Sequence, residues 1–399
     1  MKENQRLLPV DAIRGTAMFF VGISHISYYI LSSAPHLSAT LRALGFFATP
    51  NFLLMSGLAC GYQLARLDTA PAAWRIVDRG LFVLLVGHFL VAGSLAYLVR
   101  PGTACVHIVI TDSIGLILCM APLLRHIPCR RLLQAGAVLF VAATTIGELW
   151  RPTTMLGAAI AGPLFGIDVG MLPDNGWVSA TVPLAGLFLI GAGIGKFINR
   201  LQRERSGAAA WKPLLLCGGA AIALAVALNV TRYLIKHPPF GTFDAGFWDD
   251  AWLNLLDVRH KIPPTPAYAL FYGGIGIALV GLIGLLPRGA GRLPRHLQTA
   301  ASIPATVGRA SFISYVSLQW MIDFTPRGLG FDEWLASPVL ALSYLLLVAL
   351  VMVLIARTWD RHGGNRVLTV GLRPRGQSPA GPGTPARPVP PAGVGLQSR

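Results

Sequence analysis

The chain has 399 residues, of which 54% are hydrophobic and only 13% charged, with a formal net charge of +16. An ordinary soluble domain is about one-quarter charged, and the apolar residues here come in blocks of about 20, the length that spans a bilayer as a helix. A soluble globular protein is therefore excluded. The basic excess does not point to nucleic acid, because Lys and Arg sit in short stretches between apolar blocks, which is the pattern that orients membrane proteins.

Ten apolar spans are predicted, at about 13–33, 44–65, 80–99, 105–124, 132–150, 178–198, 213–235, 265–286, 305–325 and 335–356. They describe an all-α polytopic membrane protein whose transmembrane unit covers residues 1–360. The first block has no small-residue cleavage site behind it and carries Arg14 and His25, so it is read as a retained span rather than a secretory signal. An even number of spans puts both termini on one side. That side holds 25 of the 33 Lys and Arg residues and the other side 8, so both termini are expected in the cytoplasm and the chain in the plasma (inner) membrane.

In the first span, Asp11, Arg14 and His25 fall within about 60° of one another on one helix face. From Arg14 to His25 the helix rises about 16 Å, roughly half a hydrocarbon core. Ionisable side chains at such depth face a protein interior or a watery cavity and mark function. A neutral imidazole near the midplane suits a general base. Arg14, paired locally with Asp11, is either a topogenic charge or a phosphate contact at the cytoplasmic mouth.

The second span carries Pro50, which frees a backbone carbonyl, beside Asn51, and Ser56-Gly57, which permits close helix approach. Asn51 and Ser56 are candidate cavity-lining residues, although such features are most often packing devices. The third span places His88 about 13 Å beyond Arg79, and the fourth places Asp112 about 20 Å from Arg125. An Asp bonded to a histidine would hold its tautomer, and whether Asp112 serves His25, His88 or neither stays open at this stage. His107 and Glu148 lie nearer the outer boundary and are expected to be solvated.

Five cysteines, Cys60, Cys105, Cys119, Cys129 and Cys217, lack metal-ligand spacing and read as small buried hydrophobes. No metal site is expected. The outer stretch 236–264 contains Phe243, Asp244, Phe247, Trp248, Asp249, Asp250 and Trp252, a composition that suits either glycan contact or the membrane interface. The tail 376–399 is rich in Pro and Gly and is expected to be disordered. No motif repeats between the two halves, which counts against a transporter built from internal repeats.

Together these residues resemble the membrane acyltransferase-3 superfamily. The likeness rests on Arg14-x10-His25 preceded by Asp11, on Phe52-Leu53-Leu54-Met55-Ser56-Gly57, on the basic pair Arg75 and Arg79, and on Gly308-Arg309-Ala310-Ser311-Phe312-Ile313-Ser314-Tyr315. The run Lys261-Ile262-Pro263-Pro264 is similar to the branch related to heparan-α-glucosaminide N-acetyltransferase. The basic pair stands four residues apart where the superfamily often has Arg-x-x-Arg, and Gln319 and Trp320 stand where relatives often carry a histidine. The resemblance implies acyl-CoA, acetyl-CoA first among such donors, as cytoplasmic co-substrate and a sugar or glycan-type acceptor. It implies His25 in catalysis and Arg14, Arg75, Arg79 and Arg309 on the donor, and the depth of Asp112 and His88 adds them as catalytic candidates. Asp11, Asn51, Ser56, Tyr315 and Lys261 would line the site. The rival reading is a proton-coupled transporter or flippase with His25, His88 and Asp112 as a relay.

Overall fold

Small residues decide how closely these helices pack, and two crossings set the architecture. The computed structural model describes residues 7–67, 70–92, 108–167, 180–204, 207–237, 250–286, 295–364, 368, 370 and 371. Among them all regular structure is helical. Helix α3 (Ala48–Leu67) lies against α9 (Thr181–Glu204). Gly57 and Gly61 face Gly191 and Gly195 there, and a Cβ on Gly57 would fall 2.1 Å from the Phe188 carbonyl oxygen. Only hydrogen fits at such a contact, so the two backbones touch as in other small-x3-small membrane pairs.

The second crossing joins the ends of the chain. Helix α1 (Leu8–Ile26) meets α13 (Arg295–Arg309) at Gly15 and Gly308. A Cβ on Gly15 would lie 1.8 Å from the Pro304 carbonyl oxygen, and one on Gly308 would lie 1.9 Å from that of Asp11. Residues almost 300 positions apart are thereby fixed on the two sides of one cavity.

Among the described residues, six helical runs are long and apolar enough to cross a membrane: Pro35–Leu67, Cys129–Leu149, Thr181–Glu204, Lys212–Lys236, Pro266–Leu285 and Pro338–Arg361. They cover six of the ten expected spans. The described residues of the other four are helical but in shorter, broken or more polar runs, each for a local reason. The first, α1, includes Asp11, Arg14 and His25 and stops at Ile26, well before the expected end at residue 33, and Pro35 then opens α2 (Pro35–Gly45). In the third expected span, α4 (Ala70–Phe82) passes into a π turn, Val83–Gly87. The fourth contains α5 (Ile110–Cys119), which breaks before the short α6 (Ala121–His126). In the ninth, α13 is interrupted at Ala310 before α14 (Ser311–Gln319), which continues through a second π turn, Trp320–Phe324.

Two readings of single residues change. Glu148, expected to be solvated, is only 3% exposed. It sits at the end of α7 (Cys129–Leu149), where His260 Nε2 lies 2.7 Å from one carboxylate oxygen and Asn254 Nδ2 donates to the other at 3.3 Å. The Asn254 amide bond and the adjacent imidazole offset part of the cost of burying it. Cys60 is buried as expected, whereas Cys217 is exposed on α10 (Lys212–Lys236). Cys105, His107, the aromatic run 243–249 and the tail 376–399 lie outside the described residues.

Candidate active site

One cavity of about 780 Å³ runs along α1 and α3. Its lining on and just before α1 is positions 7, 10, 11, 14, 18, 21, 24 and 25, and on α3 positions 48, 49, 52, 56, 59, 60, 62, 63, 66 and 67. In both sets single or adjacent positions return about every three or four residues, which marks one broad helix face. From Leu7 to His25 the helix rises about 27 Å, so the cavity reaches from one set of helix ends toward the other. This is why Asp11, Arg14 and His25 share a face.

At the Leu7 end the cavity is lined by Arg14, Arg66, Arg75, Arg79 and Arg309. The guanidinium of Arg14 donates from Nε to the Gly308 carbonyl at 2.8 Å, and from Nη2 to the same oxygen and to Asp11 at 2.8 Å. Gly308 lies at the C-terminal end of α13, where carbonyls lack helical partners, so a cation there also meets the negative end of the helix dipole. Arg14 is thus both a tie between α1 and α13 and part of the cavity wall. Arg309 is held by Asp360 at 2.8 Å and Arg75 donates to the Pro71 carbonyl at 3.3 Å. Arg66, which sequence reasoning counted only as a topogenic charge, joins this cluster because it continues the α3 cavity face.

At the other end stand His25, Ser24, Gly45, Lys261, Ile262 and Pro264. His25 Nδ1 lies 3.3 Å from Asp323 Oδ1. A carboxylate can only accept, so Nδ1 carries the proton and Nε2 is the basic nitrogen. Asp323 belongs to the π turn Trp320–Phe324. Sequence reasoning missed it, and the available signal was a carboxylate near the end of an otherwise apolar span. The other pair is His88 with Asp112, Nδ1 to Oδ2 at 3.0 Å. Asp112 also accepts from the Val109 N–H at 2.9 Å, capping α5. So Asp112 serves His88 and not His25.

Lys261 is presented by a pinned loop. Thr265 donates to the Asp257 carbonyl at 2.8 Å, Asp257 pairs with Arg232 at 2.9 Å, and His260 is held by Glu148. Burial pushes the Lys261 ammonium below its ordinary value.

Of the residues expected at the site, Asp11, Arg14, His25, Ser56, Arg75, Arg79, Lys261, Arg309 and Tyr315 line this cavity. His88, Asp112 and Asn51 do not. Asn51 is fully buried and donates to the Phe47 and Tyr272 carbonyls, both at 2.8 Å, which makes it a bridge between α3 and the π turn Ala269–Gly273. Among the described residues no group of three or more His, Cys, Asp and Glu could hold a metal.

Comparison with protein families finds that residues 6–238 match the catalytic domain of heparan-alpha-glucosaminide N-acetyltransferase. The chain belongs to that family. Comparison with curated proteins found no match. The family match includes Arg14, His25 and the basic cluster Arg66, Arg75 and Arg79. Lys261, Arg309, Tyr315 and Asp323 lie beyond it, yet Lys261, Arg309 and Tyr315 line the same cavity and Asp323 touches its histidine. The cavity is therefore lined both by residues inside the matched stretch and by residues C-terminal to it.

Proposed function

We propose that this chain is an integral-membrane acetyltransferase that moves the acetyl group of cytoplasmic acetyl-CoA to an amine or hydroxyl of a glucosaminide-type acceptor. The observation that carries the reading is a single cavity with an arginine cluster at one end and a carboxylate-paired histidine toward the other. Arginine forks suit the phosphates of CoA. The apolar middle, with Met18, Phe52 and Ala59, suits a pantetheine arm, which would bring the thioester toward His25. The acceptor would enter past Lys261 and Ile262.

His25 Nε2 takes a proton from the acceptor as its nitrogen or oxygen attacks the thioester carbon. The C–S bond breaks, its electron pair leaves on sulfur, and the imidazolium returns the proton from Nε2 to that thiolate, so CoA leaves as the thiol and His25 is neutral again. Asp323 keeps Nδ1 protonated and stabilises the imidazolium that forms. Such acid–base assistance contributes about 10²–10⁴ in rate. Within this proposal the excess of Lys and Arg puts the arginine mouth and both termini in the cytoplasm, with ten spans in the plasma membrane. The likeness of Arg14-x10-His25 to the wider acyltransferase-3 superfamily supports the same donor chemistry.

The test uses purified protein in nanodiscs, with acetyl-CoA and glucosamine as substrates. Acetylated product from wild type and none from His25→Ala is the expected result. Equal turnover by folded His25→Ala would reject the base assignment.

A further inference from the structure

Resting on the acetyltransferase reading, we infer that Leu368 is part of the acetyl-CoA site and that a bond from Val370 to Asp78 latches it there. Both residues lie beyond the last described helix, Pro338–Arg361. Chain in such a position is usually held loosely unless something ties it down. Here Leu368 is only 9% exposed and lines the same cavity as Arg75, Ile76 and Arg79 of α4. Two residues on, the Val370 N–H donates to Asp78 Oδ1 at 3.0 Å. Asp78 stands between Arg75 and Arg79 in sequence and is 2% exposed.

A carboxylate buried so deeply needs polar partners, and an N–H given to a charged acceptor makes one of the stronger hydrogen bonds. Helix α4 therefore does two things: Arg75, Ile76 and Arg79 line the cavity, while Asp78 holds the returning chain. The return itself is built into the end of the last described helix. Gly363 has φ +66°, the left-handed conformation that commonly ends helices and that side chains disfavour. Gly364 then lies against the Trp359 indole, where a Cβ would fall 2.4 Å from a ring carbon. In the final turn of the same helix, Asp360 holds the cavity residue Arg309 at 2.8 Å.

The position selects the ligand. Leu368 is an apolar residue in a wall that also carries Arg75 and Arg79, and CoA presents phosphates beside an adenine ring and an apolar pantetheine arm. The arginines suit the phosphates, and Leu368 covers apolar surface next to them. The hold on α4 is one backbone hydrogen bond and one leucine, which is far less than a packed helix has. The latch therefore opens to admit the donor and closes over it, as substrate-covering segments do. Closure acts on release of the donor, because most affinity differences within one site lie in the off-rate.

Acetyl-CoA binding to the full chain in nanodiscs tests the latch with Leu368→Ser, Asp78→Ala, Asp78→Asn and the double variant Leu368→Ser/Asp78→Ala. Leu368→Ser and Asp78→Ala should each raise the acetyl-CoA Kd about fivefold to tenfold, mostly through faster release. Asp78→Asn keeps an accepting oxygen and should recover most of the affinity. The double variant should bind about as weakly as either single one, because both changes remove the same contact. In turnover with glucosamine the loss should appear in the acetyl-CoA KM and leave the glucosamine KM at the wild-type value. An acetyl-CoA Kd at the wild-type value in Leu368→Ser would overturn the assignment, whatever Asp78→Ala does. Additive losses in the double variant, or no recovery in Asp78→Asn, would mark Asp78 as a packing residue and overturn the latch. Wild type that binds no acetyl-CoA would instead contradict the acetyltransferase reading on which the latch rests.

Discussion

His25 Nδ1 lies 3.3 Å from Asp323 Oδ1, a contact between the first helix and a π turn 298 residues later. The distance is at the long end for a hydrogen bond, as is common for catalytic pairs before substrate tightens them. Its consequence is a fixed tautomer. Asp323→Asn can present an amide N–H to Nδ1 and favour the wrong tautomer, so kcat should fall about 10²-fold or more. The KM for acetyl-CoA should change little. Steady-state kinetics on both substrates checks this, and a loss confined to donor KM would count against it.

The arginine mouth should answer to charge. Arg66→Ala or Arg79→Ala should each weaken acetyl-CoA binding by about tenfold, equivalent to about 1.4 kcal/mol. Because these side chains are exposed, wild-type affinity should also fall as salt rises. Binding titrations at two ionic strengths measure both effects. Neither substitution should alter the maximal rate at saturating donor.

Lys261 combines a stability cost with a site position. Its ammonium is pushed down by burial, so between the folded value and the ordinary lysine value of about 10.4 the unfolded chain binds more protons than the folded one. Stability on this account rises with pH through that window, and below it the desolvation penalty is fully present. Lys261→Met should raise the Tm at neutral pH and flatten its rise toward alkaline pH, while raising the acceptor KM. A lower Tm at neutral pH would show that the charge is a net stabiliser.

Adjacent glycines in α10 should respond in opposite directions. A Cβ on Gly218 would lie 2.4 Å from the Ala278 backbone nitrogen, whereas one on Gly219 would meet nothing within 4 Å. Gly218→Ala should destabilise by about 1–3 kcal/mol through overpacking. Gly219→Ala should stabilise by up to about 1 kcal/mol from helix propensity. Thermal unfolding of the two variants in one detergent decides it.

Much of this site could be read from the chain because α1 is one helix. Spacing alone put Asp11, Arg14 and His25 on one face, and that face lines the cavity. The same logic on α3 would have added Arg66. What spacing could not supply were the partners, because they depend on tertiary crossings. Gly15 against Gly308 brings Arg14 to a helix end far along the sequence, and a π turn turns Asp323 toward His25. Asn51 had the residue type of a cavity liner but became a bridge, because Gly276 leaves room for its side chain against the neighbouring helix. Span ends also shifted where proline restarts a helix, as at Pro35. Glu148 was misplaced because its polar neighbours, Asn254 and His260, lie over 100 residues away.

The most direct measurement is acetyl transfer in nanodiscs, following product and bound acetyl-CoA together for wild type and His25→Ala. Wild type should bind acetyl-CoA saturably and acetylate glucosamine, and His25→Ala should bind donor with similar affinity yet form no product. Folded wild type that binds neither acetyl-CoA nor longer acyl-CoAs, or His25→Ala with undiminished transfer, would contradict the assignment.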